Sequence, residues 1–551
     1  MSTSGKADAS VLRGDAKVIV EGLVHVGHLR DLVQQQTRRA VPVGGPFTVG
    51  LPESGLLNPF DIPVGPSASG VPMEKLEWTL RSAPGELYLR DAGLTAAYGL
   101  FGAPGSGKTT LLLKLLRQVL ALHRDDPERR FGGLILDPKA ALVEDVRAMA
   151  ENAGRSADLV VISAEELARR QESVNLIDYG GDPRALGRLL VLAGQSAGAA
   201  ASEQFWFGAW KNLFSPALQL LAAYGEEPVN LRTLVEHVLT VRPGADGQPE
   251  RPIQALARRV ALDVAENPDL PSEQRSDLQV AVDEIEGFYR QDAENVETVN
   301  ALISGAYGDF RLARWRRFTE ESGLGPAPHT ARFHDRIIDD GKLVLVSVSP
   351  DDPAMAKTIC TLTKVLFQQA VISRLGRVRA GTLRNFTRPV FLACDEYSGI
   401  ASEVPGQPMG DGYFLSLCRQ NGCLALIATQ SVNMLQSGAL KDVWKGVFSN
   451  FGATFFLRLS DRDTAEEATR LVGENDWLPT SLGASYQAGG GGYSSQRSLQ
   501  EHKELPTTVL TQVLPRGFGV AVGSLDGNKT RPGATAFEVG PAGDRTGEVQ
   551  C

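Results

Sequence analysis

Gly102-Ala-Pro-Gly-Ser-Gly107-Lys108-Thr109 is the stretch whose reading decides the fold. It fits GxxxxGK[ST]. The short apolar run Ala96–Phe101 precedes it and a strongly apolar helical pattern, Thr109–His123, follows it. That strand–turn–helix setting is the context the motif needs, and it argues against a glycine-rich turn that matches by accident. The glycines let backbone N–H groups turn inward around phosphate oxygens, with the positive end of a helix behind them. Gly102, Ala103, Pro104, Gly105, Ser106, Gly107, Lys108, Thr109 and Thr110 are therefore expected to hold ATP. Lys108 would reach the β- and γ-phosphates, and the Thr109 hydroxyl would ligate Mg2+.

Working outward, Gly133–Leu136 (GLIL) is a buried strand ending in Asp137-Pro138. With the P-loop strand and helix it makes a βαβ unit, which implies a parallel sheet. Glu86–Arg90 alternates like a strand, whereas residues 51–70 (LPESGLLNPFDIPVGPSASG) read as an extended connector. Further short apolar strands are Leu343–Val348, Val390–Cys394, Leu424–Thr429 and Ala453–Leu457, with helical patterns between them, notably Met355–Arg374. Residues 203–330 hold helical periodicity and few strand signals. The expected class is α/β, a mostly parallel central sheet interrupted by an all-α insertion. Its divisions are an irregular segment (1–75), a first nucleotide-binding part (76–202), the all-α domain (203–330), a second part (331–530) and a tail (531–551). Ala488–Ser495 (AGGGGYSS) is expected to be a flexible loop.

Pro389–Glu396 (PVFLACDE) is an apolar strand ending in two carboxylates. Alone such a run is common; beside a P-loop it delivers Asp395 to the magnesium shell and Glu396 to the attacking water. Gln430 closes the strand Leu424–Thr429, where it would sense the γ-phosphate or orient water; the plainer alternative is a loop amide capping the strand end. Arg419 lies eleven residues earlier, in the helix feeding that strand. In ring ATPases an arginine so placed reaches the neighbouring subunit's nucleotide; unsupported, it reads as a solvated arginine. Two basic stretches bear on nucleic acid: Arg311, Arg314, Arg316 and Arg317 around Trp315 and Phe318, and Arg374, Arg377, Arg379, Arg384 and Arg388. Charge runs are usually solvated faces and Trp315 reads first as core, so nucleic-acid contact is the minority reading of each. Phe205, Trp206, Phe207 and Trp210 read as core of the insertion.

Composition bounds the rest. The 551 residues are 42% hydrophobic and 22% charged, as in ordinary globular chains. No window reaches the roughly 18 consecutive apolar residues that cross a bilayer, and the polar start (MSTSGKADAS) lacks a secretory pattern. The five cysteines are odd in number with no CxxC pair, which fits a reducing cytoplasm better than a disulfide or zinc framework. A net charge of −9 argues against a surface coated in nucleic acid, while leaving room for basic contacts inside a channel. The seven histidines show neither HExxH nor paired spacing.

Taken in order, these segments resemble the conjugative coupling proteins of type IV secretion (TraD/TraG-like), relatives of the FtsK and HerA DNA motors. The likeness covers roughly residues 86–530. It runs through the P-loop, Leu134–Arg147 with its Asp-Pro-Lys, Val160–Asp178, the inserted helices, Phe333–Ser347, Pro389–Glu396, Ser416–Ser431 and Asn450–Thr464. The resemblance implies a RecA-like domain in a homo-hexameric ring ATPase that pumps DNA, single- or double-stranded, using ATP and Mg2+. It gives Lys108, Thr109, Asp395, Glu396 and Gln430 the catalytic roles and Arg419 the trans-acting one. A relaxase or secretion components would be partners, with the protein cytoplasmic or peripheral at the inner membrane. Two other functions fit the same motifs: a secretion ATPase for protein substrates, and a nucleotide-gated scaffold or regulator of a mobile element or defence cluster. Three departures stand out. No transmembrane anchor is visible, so the membrane would be reached only through a partner. The family's DPKG reads Asp137-Pro-Lys-Ala140, and Glu403–Gly412 enlarges the loop after the Asp-Glu pair.

Overall fold

Six of the apolar runs form strands buried from end to end, the pattern of strands covered on both faces. In the computed structural model the described residues are 62–66, 86–89 and 94–539, apart from 179–180, 198–203, 227–228, 245–246, 320–331, 350, 386, 404–408, 438–439, 478–479, 488–489, 498–499, 504, 515 and 524–533. Most of the segment 1–75 and the tail beyond Val539 lie outside them. The principal elements are β1 (Ile62–Pro66), β2 (Glu86–Leu89), β3 (Ala97–Phe101), α1 (Lys108–Ala121), β4 (Gly132–Asp137), β5 (Leu159–Ile162), β6 (Leu343–Ser347), α2 (Pro353–Arg379), β7 (Val390–Cys394), α3 (Asp411–Leu417), β8 (Cys423–Thr429), β9 (Ala453–Leu457), β10 (Phe518–Gly523) and β11 (Ala534–Glu538). The chain divides into two compact units, and β3 contributes residues to both.

The larger unit comprises Thr95–Gly99 and Leu120–Phe451. Its strands run β8-β7-β4-β6-β5, every pair parallel. The Ala425 N–H donates to the Ala96 carbonyl, 3.0 Å, just before β3. Gly133 in β4 lies under the Phe391 ring of β7, where a Cβ would stand 2.0 Å from a ring carbon, so the sheet packs this tightly only with glycine there. The helix α2 is buried along most of its length. A helical layer follows β5, with helices Pro183–Ala197, Gln204–Tyr224, Leu231–Leu239, Pro252–Glu266, Ser272–Tyr289 and Ala293–Tyr307. The first two approach closely at Gly187 beside Ser215 and Gly194 beside the Trp210 ring. Trp210, Phe214 and Tyr307 interlock, and the Tyr307 hydroxyl donates to the Leu190 carbonyl. Phe207 and Trp210 are thus core, whereas Phe205 is 58% exposed.

The second unit comprises Met1–Leu94, Leu100–Val119 and Gly452–Cys551. Its strands β9, β10 and β11 pair antiparallel. Two sequence expectations are corrected here. Ile62–Pro66, inside the supposed connector, is a strand paired antiparallel with β2 through an irregularity between Pro63 and Gly65; prolines are tolerated in such a two-stranded edge. Within the glycine-rich run the described residues are strand and not loop: Gly490–Arg497 pairs residue by residue with Thr480–Gln487, while residues 488–489 lie outside the described ones. Glycine carries no side-chain preference of its own, so the partner strand decides the conformation.

Candidate functional site

The P-loop is fastened within its own unit. Gly105 and Gly107 have φ of +72° and +106°, a region that only glycine enters freely. The Ala103 N–H donates to the Arg458 carbonyl at 2.8 Å, and the Gly517 N–H to the Ser106 carbonyl at 3.4 Å. A Cβ on Gly102 would meet Ser106 Oγ at 2.4 Å and Leu457 Cβ at 2.9 Å. Lys108, nearly buried, donates from Nζ to the Gly102 carbonyl (2.6 Å) and more distantly to that of Ala103 (3.4 Å). Ser106 Oγ is buried with no hydrogen-bond partner among the described residues. The Lys114 ammonium holds the Val539 carbonyl at 3.0 Å, tying the last described strand to α1. A glycine cradle, an orphan hydroxyl, a cation and the positive end of α1 together suit a phosphate chain, and Thr109 in the first turn of α1 suits its magnesium ion.

The carboxylates belong to the larger unit. The parallel strand β7 leads into Asp395, which is buried, and Glu396, whose backbone is left-handed (φ +50°, ψ +44°). A non-glycine residue in that region is uncommon and marks a constrained position. The Asp395 N–H reaches the Leu136 carbonyl of β4 (3.2 Å), and the Glu396 N–H reaches Asp395 Oδ1 (3.1 Å). Gln430, one strand away at the end of β8, donates from Nε2 to both Glu396 oxygens, 3.0 and 3.3 Å. The strand order thus brings these two expected residues together.

The sequence did not point to their third partner. Lys139 Nζ lies 2.6 Å from Glu396 Oε1. Its turn follows β4, the strand on the other side of β7, and is anchored by buried Asp137, which accepts from Leu142 N–H (2.7 Å), Ser347 Oγ (3.2 Å) and Lys139 N–H (3.3 Å). Ala140, in the place of the family's glycine, is left-handed with φ +53°. The signal available was the Asp-Pro-Lys turn at the end of a strand adjoining that of Asp395.

Glu396 is also steadied through the next residue. The Tyr397 hydroxyl donates to Asp411 Oδ2 at 2.6 Å. Asp411, 1% exposed, further accepts from Lys364 Nζ (2.6 Å), Gln368 Nε2 (2.7 Å) and Ser402 N–H (2.7 Å). Lys364 is fully buried and gives a second bond to the Ile400 carbonyl, 2.6 Å. Burial and the Asp411 charge hold the Tyr397 hydroxyl far above its ordinary pKa, so it stays a donor. Glu403 pairs with Gly410 across the enlarged loop, whose residues 404–408 lie outside the described ones.

Arg419 is not in this cluster. It is exposed on the turn after α3, which ends at Leu417, rather than within a helix. That turn is at the amino end of β8, and Gln430 is at the carboxyl end. Seven strand residues at about 3.3 Å each separate them by about 23 Å. The basic stretches are largely consumed internally. Arg374 and Arg388 are 1% exposed and donate to backbone carbonyls, Arg377 pairs bidentately with Asp335, and Arg384 pairs with Asp340. Trp315 and Phe318 are buried; Arg314 pairs with Asp352, and Arg317 donates to the Glu172 carbonyl.

Residues 406–514 match the family model described as the TraM recognition site of TraD and TraG. That match spans 109 of the chain's 551 residues, so the likeness to TraD and TraG is one of this segment. The chain also superposes on solved structures of the bacterial conjugative coupling protein TrwB. With the GDPNP complex the TM-score is 0.55 at 14% identity, covering 92% of this chain and 98% of that one. With the ADP–Mg2+ complex it is 0.53 at 14%, covering 90% and 96%. With the sulphate complex it is 0.54 at 15%, covering 91% and 98%. At this identity the likeness shows the fold alone, an α/β architecture with a mostly parallel central sheet, which is the class expected from the sequence. No curated protein sequence matches significantly.

Proposed function

We propose that this chain is an ATP-hydrolysing motor of the coupling-protein kind. In this reading it works as a homo-hexameric ring that drives DNA, or a nucleoprotein, toward a type IV secretion channel. The observation that carries the reading is Glu396, held at a strand end by Gln430 and preceded by Asp395. Gly102–Thr110 would hold the phosphates, and Thr109 and Asp395 would hold Mg2+, which would supply neutralising charge to the phosphate chain. Glu396 takes a proton from water as the water oxygen attacks the γ-phosphorus; the bond to the β–γ bridging oxygen breaks, giving ADP and phosphate. Gln430 orients that water. Arg419, remote from Gln430 on its own strand, serves a neighbouring subunit's nucleotide.

The TrwB complexes with ADP and Mg2+ and with nucleotide analogues support the cofactors. The TraM-recognition match supports relaxosome or secretion-system partners. In this reading the membrane is reached through a partner; no described helix is long and apolar enough to cross it. One observation favours protein cargo instead: the arginines that would meet DNA mostly hold the chain's own carbonyls and carboxylates. Steady-state ATP turnover with and without single- and double-stranded DNA separates the two, with Lys108→Ala as control. Stimulation lost in the control is the expected result. Turnover indifferent to DNA favours protein cargo, and turnover surviving Lys108→Ala refutes the ATPase assignment.

A further inference from the structure

We propose that Lys139 is a brake on Glu396, released when a nucleic-acid phosphate draws the lysine away. The proposal rests on the motor reading above, in which Glu396 is the base. Lys139 Nζ lies 2.6 Å from Glu396 Oε1, so the face of that oxygen turned to the lysine is closed to the attacking water. Gln430 already occupies both carboxylate oxygens with its amide, so the lysine is the surplus donor. Removing it leaves Glu396 oriented by Gln430 and by the Tyr397 anchor.

The contact is built to be broken from one side. The Lys139 side chain is 57% exposed while that of Glu396 is 17% exposed, so a competing anion meets the lysine and not the carboxylate. Among the described residues the ammonium has no other partner. A solvent-exposed ion pair gains little over its separated, hydrated charges, and a polyanion offering several charges outcompetes it. The backbone on both sides is left-handed at residues that are not glycine, Ala140 and Glu396. Such positions are held by their surroundings, so the contact joins two constrained turns. Asp137 keeps the root of the turn fixed through Ser347 and Leu142, which confines the movement to Lys139 and Ala140.

The test is ATP turnover of the full chain carrying Lys139→Met or Lys139→Arg, with and without a single-stranded oligonucleotide and with Glu396→Gln as the dead control. Lys139→Met is expected to raise basal turnover at least about threefold, equivalent to about 0.6 kcal/mol of barrier, and to bring stimulation by DNA close to one. Lys139→Arg, which keeps the charge, should retain low basal turnover and the response. Unchanged or reduced basal turnover in Lys139→Met overturns the brake, since a lysine that merely orients the base would lower the rate. If wild type ignores DNA yet Lys139→Met is faster, release by a nucleic-acid phosphate is overturned and the DNA reading of the motor falls with it; a Lys139→Met variant that keeps the wild-type response to DNA overturns the brake alone.

Discussion

Replacing Lys364 by methionine removes a charge from the most enclosed ion pair in the larger unit and leaves its partner behind. Asp411 would keep the Tyr397, Gln368 and Ser402 donors but lose the only cation bonded to it among the described residues, at 1% exposure. Removing one partner of a buried pair costs about 3–5 kcal/mol, because the desolvation of the remaining charge is no longer offset. The unit holds about 340 residues. At roughly 2.1 cal/mol/K per residue its unfolding entropy is about 0.7 kcal/mol/K, so the expected drop in Tm is about 4–7 °C. Differential scanning calorimetry of the unit's transition measures it. The double variant Lys364→Met/Asp411→Asn removes both charges and should recover at least about half of the loss. A drop below about 1 °C, or a double variant no better than the single one, would refute the view that this pair is a desolvated charge couple.

Two further outcomes follow from local strain and burial. Burial pushes the Glu403 carboxyl up to about 7, against the pull of the Gly412 N–H. Since the folded value lies above the ordinary 4.5, the protonated form favours folding; stability from this group is present below about pH 4.5 and lost as pH rises through 7. Glu403→Gln should therefore melt above wild type at pH 8 and match it at pH 4, and a constant offset across that range would contradict the assignment. Ala140→Gly relieves a left-handed alanine and should gain roughly 1 kcal/mol in urea unfolding. No gain would mean that the turn carries no strain.

The apolar runs announced β3, β4, β6, β7, β8 and β9 because a doubly covered parallel sheet writes itself as uninterrupted hydrophobic segments. Gly102–Thr109 was readable because a tight phosphate-shaped turn admits few residues. Long-range pairings were not: Lys139 and Glu396 are separated by 257 positions, and only the strand order makes them neighbours. The arginine run before β7 misleads because arginine is rarely buried. Arg374 and Arg388 are buried here because each guanidinium satisfies several backbone carbonyls at once. The strand Ile62–Pro66 and the hairpin through Gly490 escaped because proline and glycine signal turns unless a partner strand overrides them.

The four described cysteines have a practical use. Cys360, Cys394, Cys418 and Cys423 are all enclosed, and burial raises every thiol, Cys418 to about 12. Cys394 closes β7 and Cys423 opens the neighbouring β8, so the two report on opposite ends of one strand pair. A thiol reagent can reach them only when that part of the sheet opens, and the rate of labelling then counts openings. The chain thus carries its own gauge for whether nucleotide loosens or tightens the sheet's centre, with no probe attached.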